Sequence, residues 1–73
     1  MMNTREHLIY MAGQIFRNFA SRGEEAAVSA TAEHLVLYWD PHMKAQALDM
    51  LDDPEIDLPE PVRAVFGKLR VAA

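Results

Sequence analysis

Along residues 4 to 22, Leu8, Ala12, Ile15, Phe16 and Phe19 fall on one side of a 3.6-residue wheel, flanked by Ile9 and Met11. Tyr10, Gln14, Arg17 and Ser21 take the opposite side. This spacing predicts an amphipathic helix with Thr4 as its N-cap and Arg22-Gly23 at its end. A basic last turn suits the negative end of the helix dipole, and Gly readily adopts the backbone that closes a helix. A second helix opens on Glu24 and Glu25 and runs to Trp39. Its core stripe is Val28, Ala32, Leu35 and Trp39, bordered by Thr31, Val36 and Tyr38. Leu37 projects about 180° from Val28, in line with Ala26 and Ala30, so this helix carries a second, weaker apolar strip.

The run Tyr38-Trp39-Asp40-Pro41-His42-Met43 ends one helix and starts the next with no loop between them. Asp is a preferred N-cap, because its carboxylate accepts a bond from an orphan helical N–H, and Pro is well tolerated at the first helical position. A sharp corner is therefore expected at Trp39, Asp40 and Pro41, with the single Trp of the chain as a packing wedge. The third helix begins at Pro41, sets Met43, Ala47, Met50 and Leu51 on one face, and ends near Asp52-Asp53-Pro54. Residues 52 to 61 hold three prolines and five acids and read as an extended, exposed linker. Leu58 is placed to clip the start of the fourth helix, where Val62, Val65, Phe66 and Leu69 follow the i, i+3, i+4, i+7 template. The expected fold is all-α: one small compact four-helix domain over residues 1 to 73, frayed at 1 to 3 and 71 to 73. Short connections make the first two helices neighbours, with the third crossing them.

A chain of 73 residues buries only about 60% of the surface that its unfolded form exposes. Its core is small, and cysteine is absent, so neither disulfides nor thiolate metal sites can reinforce it. A partner chain is the expected source of further stability. No apolar run approaches the ~18 residues of a membrane span, and the N-terminus lacks the basic-then-apolar order of a signal peptide. The expectation is a soluble, cytoplasmic protein with no membrane association. The net charge of −4 is unevenly spread: residues 23 to 60 carry ten acids and one Lys, whereas the two flanking segments are basic. No helix concentrates enough cations to bind phosphate, which excludes nucleic acid as a partner. A helix-turn-helix regulator is excluded with it, since the third helix has only Lys44.

Reactive chemistry is thinly represented. His7, His34 and His42 include no pair at i, i+3 or i+4, the spacing that sets two ligands on one helical face. His34 and His42 flank the helix junction with Glu33 nearby, yet a hydrogen-bonded surface role is expected there instead of a metal site. The acids of residues 52 to 61 adjoin prolines in an exposed segment and read as a solvated loop. Met43 and Met50 lie on the apolar face of their helix and read as core filling. No catalytic, cofactor-binding or metal-binding residue is assigned. Contact with another chain is expected at the outer strip of the second helix, Ala26, Ala30, His34 and Leu37. A second contact is expected at Tyr10, Gln14 and Arg17 on the first, where an aromatic beside an Arg has the composition of an interface hot spot.

One set of motifs goes further. Met11-Ala12-Gly13-Gln14-Ile15, Glu24-Glu25 leading into Val28, Glu33-His34-Leu35, Tyr38-Trp39-Asp40-Pro41-His42-Met43 and Pro61-Val62-Arg63-Ala64 occur in this order. With them, over roughly residues 8 to 69, the chain resembles the delta subunit of NAD-dependent formate dehydrogenase. The aromatic-Trp-Asp-Pro-basic-Met run after the acid-His-aliphatic triplet is the most specific part. Thr31 and His42 depart from the aliphatic residue and the Arg expected there, and residues 52 to 60 form a longer and more acidic connection. The resemblance implies a cofactor-free, non-catalytic accessory subunit of a soluble bacterial enzyme. Its partner would be the catalytic (alpha) subunit, which holds a molybdenum or tungsten bis-pterin site, and through it the holoenzyme. A dissociable chaperone for cofactor insertion into that subunit is the alternative, and the isolated chain is a candidate homodimer.

Overall fold

The computed structural model describes residues 4–72, in which four α-helices and a 3-10 turn make up the regular structure and no strand occurs. Helix α1 spans Thr4–Phe19, and its last turn tightens into the 3-10 turn Ala20–Arg22. The expected helix end at Arg22 thus falls three residues late for α-geometry. The Gly23 N–H donates to the Ala20 carbonyl at 3.1 Å, an i to i+3 bond that narrows the turn. Thr4, expected as the N-cap, is itself helical. Gly23 has φ 95° and ψ 154°, a backbone that is almost exclusive to glycine. Its carbonyl accepts the first bond of the next helix, from the Ala27 N–H at 2.9 Å, so a single residue closes α1 and opens α2.

Helix α2, Glu24–Tyr38, buries Ala27, Val28, Thr31, Ala32 and Leu35. This arc is wider than the expected stripe, because α2 packs against both α1 and α4. The buried Thr31 hydroxyl donates to the Ala27 carbonyl at 2.7 Å, which resolves the departure at that position: the polar atom is satisfied within its own helix. Trp39 and Asp40 then take extended backbone conformations, the latter as the residue before a proline must. Helix α3, Pro41–Asp52, starts with Pro41 at its first position, and the Asp40 carboxylate accepts from the Met43 N–H at 2.8 Å. Trp39 is only 5% exposed, with its ring 6.3 Å from that of Phe66.

Helix α4 covers Glu60–Ala72 and buries Val62, Val65, Phe66 and Leu69, the four residues its periodicity marks. It forms the most extensive helix pair with α2, and α3 is held mainly by α4 and then by α1. The third helix, expected to cross α1 and α2, packs mainly against α4 and then against α1. Met50 and Ala47 bury toward the core, and Met43 and Leu51 pack at its edge. The core is continuous from Leu8 and Ala12 through α2 to Phe66.

The connection between α3 and α4 is shorter and better anchored than a free linker over residues 52 to 61. Asp53 folds it into a turn: its carboxylate accepts from the Glu55 N–H at 2.9 Å and its carbonyl from the Ile56 N–H at 3.2 Å. Leu58 is buried one residue before Pro59, whose carbonyl accepts from the Arg63 N–H at 2.9 Å. Asp52 ends α3 and pairs with Arg70 of α4 at 2.6 Å. The expected fraying of residues 1 to 3 and 73 concerns residues outside those described, whereas Val71 and Ala72 form the last part of α4.

Candidate interaction surfaces

The outer side of α2 is built by the same 3.6-residue register that fixes its core. Ala26 is exposed, Ala30 and His34 are half-buried, and Leu37 is 70% exposed near the end of the helix. Small side chains one turn apart leave the helix backbone approachable, and Leu37 stands above it. Tyr38, expected on the border of the core stripe, is instead 71% exposed. Its ring lies 4.6 Å from that of His34, tilted by 40°, so His34 holds the aromatic in place from one turn below. The i, i+4 spacing of His34 and Tyr38 was the signal for this pair. Lys44 of α3 reaches back and donates to the Val36 carbonyl at 3.3 Å, which ties the carboxyl end of α2 to the start of α3.

On α1, the Gln14 side-chain amide donates to the Tyr10 hydroxyl at 3.1 Å, and Arg17 is exposed one turn further on. Tyr10 and Arg17 form one side of a cleft of about 300 Å3 whose other side is Pro59, Pro61 and Val62. This surface belongs to the junction of α1 and α4. The two sets of candidate contact residues thus lie on different helices, one on α1 and the other on α2. Ile15, Phe16 and Phe19, expected in the core, are only half-buried. The carboxyl end of α1 is thus partly open, with the Arg22 guanidinium 5.0 Å above the Phe19 ring.

Groups able to do acid–base or ligand chemistry are spread over the surface. His7 and His42 are exposed, and His34 faces Tyr38. Among the described residues no group of three or more His, Asp or Glu is placed to hold a metal ion. No helix of the described residues is long and apolar enough to cross a membrane.

Fold and surface together define a small all-helical domain with large apolar side chains displayed on its outside. The chain belongs to the family described as NADH-dependant formate dehydrogenase delta subunit FdsD, whose model matches residues 7–65. No curated protein and no solved structure matches it.

Proposed function

We propose that this chain is a non-catalytic accessory subunit that binds the catalytic subunit of cytoplasmic NAD-dependent formate dehydrogenase and stabilises the holoenzyme. The observation that carries this reading is the family match over residues 7–65. The exposed Leu37 and Tyr38 support it, because a soluble helix that displays both side by side gains by covering them. The proposed contact is the outer strip of α2, Ala26, Ala30, His34 and Leu37, extended by Tyr38. Tyr10, Gln14 and Arg17 form a second contact on α1.

The mechanism is linkage. A domain that binds only the folded catalytic subunit removes folded protein from the unfolding equilibrium, which is worth about 2.7 kcal/mol at a concentration one hundred times Kd. The same binding energy stabilises the small chain in return. Adding the chain to catalytic subunit prepared without it should raise the melting temperature of that subunit in a concentration-dependent way. An unchanged melt at saturating concentration would contradict the proposal.

A further inference from the structure

A second surface lies on the other side of Leu37. Between α2 and the carboxyl half of α4 runs a cleft of about 390 Å3, walled by Ala32, Glu33 and Val36 on one side and by Lys68, Val71 and Ala72 on the other. Val71 is 87% exposed, the most exposed of the large apolar side chains described. Glu33 and Lys68 are both exposed on opposite walls, and the side chain of neither is hydrogen-bonded or ion-paired to a described residue. An apolar floor between an unpaired acid and an unpaired base is a surface complementary to itself.

We propose that two copies of the free chain pair through this cleft about a twofold axis running along it. Such an axis carries each α2 over the α4 of the other copy, because a half-turn about a line between two helices exchanges their positions across it. Glu33 then meets the second copy's Lys68 twice, once on each side of the axis, as a closed symmetric contact requires. Val36 and Val71 lose water between the two ion pairs. Helix α2 is about 22 Å long and two helices side by side span about 20 Å, so the two copies together bury at most about 900 Å2, below the standard size of specific interfaces. The pairing is accordingly weak and concentration-dependent. It is a property of the free chain, and its test contains no formate dehydrogenase, so its failure would leave the accessory role untouched.

Sedimentation equilibrium of the full chain from about 10 μM to about 1 mM, a range suited to weak association, provides the test. The wild type is expected to shift from monomer to dimer across that range. Glu33→Lys and Lys68→Glu should each weaken pairing at least about tenfold, since each sets two like charges against one another. The double variant E33K/K68E regenerates both ion pairs with their signs exchanged, and should recover the wild-type constant to within about threefold. Val71→Asp, a change at an exposed position that far-UV circular dichroism should show to be folded, is expected to abolish pairing. A wild type monomeric throughout would overturn the proposal. So would single variants that pair like the wild type, a double variant that stays weakened, or a folded Val71→Asp that still dimerises.

Discussion

Trp39 and its neighbour Tyr38 are adjacent in sequence and opposite in environment. Trp39 is buried against Phe66 because the chain leaves helical geometry there, and its indole fills the space between the end of α2 and α4. Trp39→Ala is therefore expected to cost about 3 to 5 kcal/mol through the cavity it leaves. Asp40→Ala should cost only about 1 kcal/mol, the worth of the bond it accepts from the Met43 N–H. Thermal melts that ranked the two the other way would show that the indole is not part of the core. The role of Asp40 was legible in the sequence, since Asp before Pro is a local signal that needs no tertiary contact. The placement of Tyr38 was not. Whether a residue at the edge of an apolar stripe is covered depends on how α2 is rotated against α1 and α4, which a helical wheel does not contain.

Glycine separates the helices into regions of different tolerance. Gly13 and Gly67 lie inside α1 and α4 with open space where a Cβ would stand, so Gly13→Ala and Gly67→Ala should each stabilise the chain by about 0.5 to 1 kcal/mol. Gly23→Ala meets no neighbouring atom either, yet should destabilise by about 1 to 3 kcal/mol because φ 95° and ψ 154° strain any residue with a Cβ. Denaturant midpoints of the three variants check this, and a Gly23→Ala protein as stable as Gly13→Ala would contradict the backbone description. At this scale the four helices were readable from periodicity, because each buries one dominant face. The 3-10 end of α1 and the anchored turn after α3 were not. The first depends on an i to i+3 bond to Gly23, and the second on a burial site for Leu58 that exists only once α4 has packed.

At the scale of the whole molecule, Leu37, Tyr38 and Val71 are exposed outside the continuous core of the described residues. Leu37→Arg should leave the melting temperature of the isolated chain within a degree or two, since surface changes typically shift stability by less than about 0.5 kcal/mol. Capture by the catalytic subunit, however, should be lost. A collapsed melt would place Leu37 in the core, and capture at wild-type strength would remove the α2 strip from the proposed interface. The family was legible in the sequence chiefly through the Trp-Asp-Pro junction, where local chemistry dictates residue type. The contact face was legible only as a strip, because exposure depends on the packing of all four helices. The most direct test of the accessory role is native mass measurement of active formate dehydrogenase purified through a tag on its catalytic subunit. This chain is expected in equal amount with that subunit. Its absence from the active enzyme, or its presence only with the cofactor-free subunit, would contradict a structural accessory role.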